Sequence, residues 1–425
     1  MGIELAYGRN GLSLELPTDV RVDVIRKPLM PTYDHPSQAV ASTLDQSGLA
    51  RRASGCTSAC IVICDITRPV PNYLFLRPMI ERLVRAGVDL EQIVVLIATG
   101  LHRPNLGAEL EELVGDPWVT QNVRVLNHDA RVLGNHIDLG ITGTRGTPVR
   151  INKEFVEADL RIVTGLVEPH FMAGYSGGRK VIAPGIAHED TIRTFHSGRF
   201  MADPAARNCN FEGNPLHEEQ LEIVSKVGQV YALNTVVDEQ RSLAFVNFGP
   251  VVESHHEAVE FVRQYCEIEV ASRYRTVVTT AAGYPLDKTY YQTVKGMVGA
   301  MGILADGGNL VIASECSEGI GSAEYLDAQQ RLIKMGPKAF LASLLEKPRA
   351  DIDEWQTQMQ LKPQFLGEVH LYSTGLSEQQ YAWTGVQRVR DLTAKVEQLA
   401  RLHPEEPIAV IPEGPYVVPV CASKT

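Results

Sequence analysis

Residues 61–69 read IVICDITRP, a short apolar run rich in β-branched residues that passes directly into a polar turn. Similar runs occur at 93–97, 160–163, 276–279 and 310–312, each before a polar or glycine-containing segment, and helical patterns fill the intervals. This alternation is typical of βαβ units and a mostly parallel sheet. The sequence therefore predicts an α/β fold whose ligands bind at the loops that follow the strands.

The length of the chain predicts two domains, because 425 residues exceed the size at which one hydrophobic core stops growing. One series of strands and helices closes near 268–275, just before a new strand begins. We therefore place an N-terminal catalytic and cofactor-binding domain at 1–270 and a C-terminal domain that contributes substrate-binding residues at 271–402. Whether 403–425 rejoins the first domain is left open. The active site is expected in the cleft between the domains.

Composition excludes several classes of protein. A net charge of −11 argues against nucleic-acid binding, which needs a basic surface. No apolar run reaches the roughly 18 residues that span a bilayer, and the first residues lack the pattern of a signal peptide. We expect a cytoplasmic protein that binds neither membrane nor nucleic acid, with its seven cysteines as reduced thiols.

Several common cofactor and metal motifs are missing from the sequence. No Gly-x-Gly-x-x-Gly follows a strand, no Walker loop occurs, and the HEE triplet at 217–219 lacks the second histidine of a zinc helix. These observations argue against a dinucleotide-binding turn, a phosphate-binding P-loop and a zinc-protease helix.

Two of the loops that follow predicted strands carry groups suited to chemistry. Asp65 and Arg68 come directly after the first run, where an arginine fork could bind a carboxylate. The alternative is that these two residues pair with each other in a surface turn. His102 follows the run at 93–97 and could exchange a proton near neutral pH, although a lone loop histidine is more often simply solvated.

The densest segment reads EPHFMAGYSGGRK at 168–180, after the third run. Its glycines permit close approach of the backbone to a ligand, although a flexible turn is the alternative interpretation. If partly desolvated beside Arg179, Lys180 would have a lowered pKa and become a usable nucleophile. His196 supplies a further imidazole later in the chain.

A second group of candidates lies in the C-terminal domain, where a helical pattern begins near residue 290. Gln292 and Lys295 are three residues apart and therefore share one face of the predicted helix. A solvated helix face is the alternative interpretation, and the functional one requires this face to look across at Arg68 and the histidines.

Taken in order along nearly the whole chain, these positions resemble the lactate racemase family, which uses a nickel-pincer nucleotide. The matching positions are the 65–69 motif, the His102 loop, the glycine loop from His170 to Lys180, His196, the helix with Tyr291, Gln292 and Lys295, and Trp355. The resemblance implies a racemase or epimerase that inverts C2 of a 2-hydroxy acid through a transient hydride transfer.

The resemblance also implies a role for each residue. The cofactor is a pyridinium mononucleotide with two sulfur donors; it is joined covalently to Lys180, and His196 binds its nickel. His102 and His170 are the acid/base pair. The further residues expected to contact the cofactor are Asp65, Gly177 and Gly178. Those expected to bind the substrate are Arg68, Tyr291, Gln292, Lys295 and Trp355. Proteins that synthesise the cofactor are expected partners.

Two other functions are compatible with the same residues. His102, His170 and His196 could bind zinc in a hydrolase, or the scaffold could bind a carboxylate or a cofactor without catalysis. The identity of the 2-hydroxy acid is also open among lactate, malate, aromatic acids and sugar acids. A dicarboxylate would need a further cation near the site, for example Arg145 or Arg193.

Overall fold

The computed structural model describes residues 1–422. Short strands and helices alternate along this chain, and the α/β class predicted from the sequence is confirmed. The strands are β1 (Gly2–Leu5), β2 (Leu12–Glu15), β3 (Val22–Val24), β4 (Ala59–Cys64), β5 (Ile93–Ala98), β6 (Arg124–Asn127), β7 (His136–Ile141), β8 (Pro148–Asn152), β9 (Leu160–Leu166), β10 (Pro169–His170), β11 (Gly174–Tyr175), β12 (Tyr231–Val237), β13 (Leu243–Pro250), β14 (Glu267–Val270), β15 (Tyr274–Thr280), β16 (Leu304–Ala313), β17 (Glu368–Tyr372), β18 (Gln387–Val389), β19 (Ile408–Val410) and β20 (Val418–Cys421).

Helices connect these strands and cover the sheets. The α-helices are α1 (Pro36–Gln46), α2 (Leu49–Ala53), α3 (Asn72–Arg85), α4 (Ala108–Val114), α5 (Pro117–Asn122), α6 (Lys153–Val156), α7 (Arg179–Ile182), α8 (Glu189–Phe195), α9 (Gly198–Ala202), α10 (Pro215–Val227), α11 (Val251–Cys266), α12 (Tyr290–Ala300), α13 (Ala323–Met335), α14 (Pro337–Leu345), α15 (Glu354–Leu366), α16 (Glu378–Thr384) and α17 (Leu392–Leu402). Short 3₁₀ turns lie at Leu90–Gln92, Leu133–Asn135, Met301–Ile303 and Gly414–Tyr416.

Two expectations from composition can be compared with these elements. None of the helices within residues 1–422 is long and apolar enough to cross a bilayer. All seven cysteines are free thiols, as expected for a reduced protein.

The first sheet has the strand order β13-β12-β9-β4-β5-β6 and is parallel except for the β12–β13 pair. Its central strands are buried on both faces, which explains why they read as continuous apolar runs. In β4, Cys60 and Val62 pack into one apolar cluster, whereas Ile61 and Ile63 pack into another. Successive side chains point to opposite faces of a strand, so helices cover both sides of this sheet.

The second sheet has the order β18-β17-β16-β15-β19-β3, and all of its strand pairs are parallel. Its strand β19 lies between β15 and β3, while β20 pairs with β14. The sequence left open a return of 403–425 to the first sheet, and the strands of this segment, β19 and β20, do not pair with that sheet. Ile408 to Val410 are completely or almost completely buried. A central position between two parallel strands buries their apolar side chains and gives their backbone N–H and C=O groups hydrogen-bond partners.

The N-terminal end of the chain also lies with the second sheet, although the sequence assigned it to the first domain. Strand β3 pairs with β19, and side chains of β1 and β2, such as Leu5 and Leu14, share an apolar cluster with Val278 and Val311. The chain then crosses to the first sheet through 25–35. The second domain is consequently built from both ends of the sequence.

Helix α15 joins the two domains. Its residues Trp355 and Met359 belong to the same apolar cluster as Phe195 and Phe200 of the first domain. Close by, the side-chain amide of Gln358 donates a 2.8 Å hydrogen bond to the carbonyl of Gly198. These contacts fix one end of the interdomain cleft, with the loops after β4, β5 and β9 on one side and helix α12 on the other.

Candidate active site

The loops after β4 and β5 meet through Asp65 and His102. The Nδ1 atom of His102 lies 2.6 Å from Oδ2 of Asp65, and the hydroxyl of Thr67 donates to Oδ1 at 2.6 Å. Burial alone would raise the pKa of Asp65, but the hydrogen bonds from His102 and Thr67 outweigh it and hold that pKa below its ordinary value. The His102 side chain is 61% exposed.

Arg68 occupies the same loop as Asp65 but has a different partner. Its Nε lies 3.9 Å from Oε1 of Glu168, and its Nη1 donates to the carbonyl of Thr67 at 3.2 Å. Burial would lower the pKa of Arg68, and the nearby carboxylates of Glu168 and Asp65 raise it above its ordinary value. The alternative in which Asp65 and Arg68 pair with each other is wrong, since the Asp65 carboxylate is bonded to His102 and Thr67.

His170 ends the short strand β10 and is oriented by the backbone. Its Nδ1 accepts long hydrogen bonds from the N–H groups of Met172, at 3.3 Å, and Ala173, at 3.2 Å. Burial lowers the pKa of His170 well below its ordinary value, with further contributions from Lys180 and Arg68. The imidazole is therefore neutral and carries its proton on Nε2.

The glycine loop is held from beneath by a buried guanidinium. Arg179 is 1% exposed; it donates to the carbonyls of Ala173 at 2.8 Å and Tyr175 at 3.3 Å. Gly177 and Gly178 have φ values of +76° and +49°, and a Cβ on Gly178 would lie 2.6 Å from the ring of His255. Both positions require glycine for packing and backbone conformation, and their expected contact with a cofactor stays a prediction.

Lys180 follows this loop at the start of α7. Its pKa is lowered to about 7, chiefly by burial and then by the charges of Arg68, Arg179 and Lys295. In a substantial fraction of the molecules, the Lys180 amine is therefore uncharged at neutral pH. The uncharged form is the one that acts as a nucleophile. The sequence-based expectation of a lowered pKa beside Arg179 agrees with this environment.

His196 lies just beyond α8 and faces the second domain. Its Nδ1 is 2.9 Å from the carbonyl of Ile192, so Nδ1 carries the proton and Nε2 keeps a lone pair. Burial, and then the charge of Lys180, lower the pKa of His196 to about 3. Its ring centroid is 5.0 Å from that of Trp355. His196 thus lies beside the indole of Trp355, and the charge of Lys180 acts on its imidazole.

Helix α12 supplies the second-domain side of the site. Lys295 has a pKa lowered to about 7 by burial and by Arg68, while Glu168 acts in the opposite direction. The Oε1 atom of Gln292 is buried and has no hydrogen-bond partner among residues 1–422. Tyr291 is held against α15 by a 2.5 Å hydrogen bond from the Gln356 amide to its carbonyl. The charge of Arg68 thus acts on Lys295 of this helix, and the substrate-binding roles of Tyr291, Gln292 and Lys295 stay predictions.

Two carboxylates at this site were not assigned a role from the sequence. Glu168 was noted only as the start of the glycine-rich segment. Asp353 precedes α15 at φ +64°, accepts a 2.6 Å hydrogen bond from the hydroxyl of Ser322, and also contacts the hydroxyl of Tyr291. Burial raises the pKa of Asp353, while Ser322 and His102 lower it. No motif marks either residue, and only its position beside His170 could have drawn attention to Glu168.

The zinc interpretation is not supported by the arrangement of ligands. Within residues 1–422, no group of three or more His, Cys, Asp or Glu side chains is placed to hold one metal ion. His102 is bonded to Asp65, His170 to backbone N–H groups, and His196 to the carbonyl of Ile192. The residues that the structure describes therefore give no support to a three-histidine zinc site.

The family of the chain follows from comparison with known proteins. Residues 7–208 match the model of the lactate racemase N-terminal domain, and residues 270–419 match that of the lactate racemase C-terminal domain. The chain belongs to the lactate racemase family. The resemblance inferred from the sequence is thereby confirmed, and the chain is an isomerase.

Individual members of the lactate racemase family are similar over most of their length. Lactate racemase of Thermoanaerobacterium thermosaccharolyticum is 32% identical over 369 residues, which cover 84% of each chain. Lactate racemase of Lactiplantibacillus plantarum is 31% identical over 313 residues, or 73% of this chain and 72% of the relative. The solved structure of the T. thermosaccharolyticum apoprotein aligns over both entire chains with a TM-score of 0.90 and 28% identity.

Proposed function

We propose that this chain racemises lactate, with a nickel-pincer nucleotide attached to Lys180. The observation that carries the proposal is the convergence of Arg68, Lys295, Lys180 and two differently oriented histidines on one cleft. The relatives that cover most of the chain are named lactate racemases, which favours lactate over the other 2-hydroxy acids.

The two cations bind the substrate carboxylate from opposite sides of the cleft. Arg68 offers a planar fork from the first domain, and Lys295 offers an ammonium from the second. Because burial and Arg68 lower the pKa of Lys295 to about 7, an incoming carboxylate favours its charged form. Tyr291, Gln292 and Trp355 complete the wall around the substrate.

The two histidines handle the hydroxyl proton. Because His102 donates from Nδ1 to Asp65, its Nε2 has a lone pair that accepts the proton of one enantiomer. His170 presents an N–H from Nε2 in this state. To serve as base for the other enantiomer it must shift its proton to Nδ1, which breaks two hydrogen bonds that are already long. We propose that each histidine serves one hand of the substrate.

The residues of the cleft fit the cofactor that the family implies. The uncharged amine of Lys180 would form the covalent attachment, and the Nε2 lone pair of His196 would bind nickel. When bound, the cofactor would accept a hydride from C2 of the substrate and return it to either face. Among residues 1–422, the partnerless Oε1 of Gln292 is a further group that a ligand would satisfy. We propose that the partners of this protein are the proteins that synthesise the cofactor. We also propose that it is located in the cytoplasm.

Measurements on the wild-type protein test this function. We expect protein made in a host that synthesises the cofactor to contain bound nickel, to show a mass increment on Lys180, and to convert either lactate enantiomer to the racemate by polarimetry. Nickel and the mass increment without inversion of any 2-hydroxy acid would favour the non-catalytic alternative. Neither nickel nor a mass increment in such material would contradict the proposed cofactor.

The Asp65–His102 pair gives a prediction for a single substitution. Asp65→Asn removes the carboxylate that holds the Nδ1 proton, and an asparagine amide that donates to Nδ1 would place the imidazole proton on Nε2. We expect kcat/KM for lactate per bound nickel to fall roughly 10²-fold, with the unfolding temperature retained. Asp306→Asn, at a side chain that is 88% exposed, is the matched control. Equal kcat/KM in the two variants would show that Asp65 does not orient the base.

A further inference from the structure

Glu168 occupies the part of the cleft where the substrate carboxylate is expected. Its Oε1 lies 3.9 Å from Nε of Arg68, and its side chain is about one-third exposed, at 32%. Its backbone N–H donates a 3.0 Å hydrogen bond to the hydroxyl oxygen of Ser176, which holds the backbone of this residue at the end of the loop after β9. The carboxylate is therefore a negative charge beside the principal carboxylate-binding group.

The second domain also faces this carboxylate. Its charge acts on Lys295 of α12 and on Tyr416, whose pKa is raised to about 12 by burial and then by Glu168. Glu168 thus lies beside Arg68, and its charge also acts on Lys295. Its negative charge offsets part of the positive charge that these two cations offer to a substrate carboxylate.

Two arginines that could have met a second carboxylate are engaged elsewhere. Arg145 donates to Glu218 at 2.7 Å and lies 3.8 Å from Glu219. Arg193 donates to the carbonyl of Ala350 at 2.7 Å and to the Asp351 carboxylate at 3.2 Å. Both guanidiniums serve the packing of the chain, so neither is available to a ligand in the cleft.

We propose that Glu168 is a specificity-determining residue that restricts the site to monocarboxylic 2-hydroxy acids. A dicarboxylate would bring a second negative charge into a cleft that already contains this carboxylate, and like charges at such distances repel. The inference rests on the proposed function, because it requires Arg68 and Lys295 to bind substrate. Wild type is expected to racemise lactate and to act poorly on malate, which differs by one added carboxylate.

Glu168→Gln keeps the size of the side chain and removes its charge. For the enzyme with its cofactor, we expect the ratio of kcat/KM for malate to kcat/KM for lactate to rise roughly tenfold, equivalent to about 1.4 kcal/mol. Glu260→Gln, at an exposed carboxylate on α11, removes the same charge away from the cleft and should leave the ratio unchanged. The dissociation constants of both acids should be measured by calorimetry on the same proteins. In Glu168→Gln, binding of malate should tighten relative to binding of lactate, and in Glu260→Gln the relative binding should stay unchanged.

The outcomes separate this inference from the proposed function. An unchanged ratio in Glu168→Gln, or an equal rise in Glu260→Gln, overturns the role of Glu168 while lactate racemisation by wild type still supports the function. A wild type that binds and racemises malate as well as lactate also overturns it. Because that comparison uses the unmodified protein, it stands even if Glu168→Gln does not fold. A wild type that does not racemise lactate overturns both proposals.

Discussion

Lys180→Ala is expected to leave the protein with neither nickel nor the mass increment of the cofactor. The amine is the proposed point of covalent attachment, and burial with neighbouring cations lowers its pKa to about 7, which supplies the reactive uncharged form. His196 alone offers one imidazole nitrogen, too little to retain the nucleotide through purification. Racemisation of lactate should fall to background as a consequence. Intact-protein mass spectrometry and nickel quantification measure both losses directly.

Two further variants separate attachment from charge and from folding. Lys180→Arg keeps a cation in the same place, but it lacks the amine that forms the covalent attachment, so it should also lack the increment. Lys226→Ala removes an exposed lysine of α10 and should retain nickel, mass increment and activity. The attachment site would be wrong if Lys180→Ala carried the full increment. Normal unfolding temperatures in all three variants would exclude a loss of the fold.

The strands and the loops that carry the site could be predicted because their signal is local. The runs at 61–64 and 160–163 correspond to β4 and β9, where the structure has Ala59–Cys64 and Leu160–Leu166. Buried parallel strands need apolar side chains on both faces, so they read as continuous runs. The polar groups after them reach one cleft because the carboxyl ends of parallel strands share an edge of the sheet.

The position of the chain ends could not be predicted, because it depends on pairing between distant residues. Strand β3 has only three residues, with partly or fully exposed side chains, and therefore no apolar pattern. Its place is decided by β19, where Ile408 pairs with Val22. The contacts of Glu168 and Asp353 were missed for a related reason. Each of these carboxylates faces a group on the other domain. The spacing of residues within one segment carries no information about which residues of the other domain lie nearby.

The two histidines provide the second large effect. We expect His102→Gln and His170→Gln each to lower kcat/KM for lactate by about 10²- to 10⁴-fold, the usual contribution of a positioned acid/base group. Both directions of the reaction must lose the same factor, because the enantiomers have equal free energies and the equilibrium constant is one. Nickel and the mass increment should remain, since neither ring is assigned to the cofactor. His403→Gln, at an exposed site, is the control and should be unaffected.

The first half of the reaction distinguishes a pair of bases from two residues that merely shape the cleft. If each histidine serves one hand of the substrate, His102→Gln should still form the 2-keto acid from one lactate enantiomer, measured after acid quench, but not from the other. His170→Gln should show the reverse preference. Loss of keto acid from both enantiomers in both variants would contradict this division, because it would mean that each step needs both rings. Wild-type racemisation in either variant would remove that histidine from proton transfer altogether.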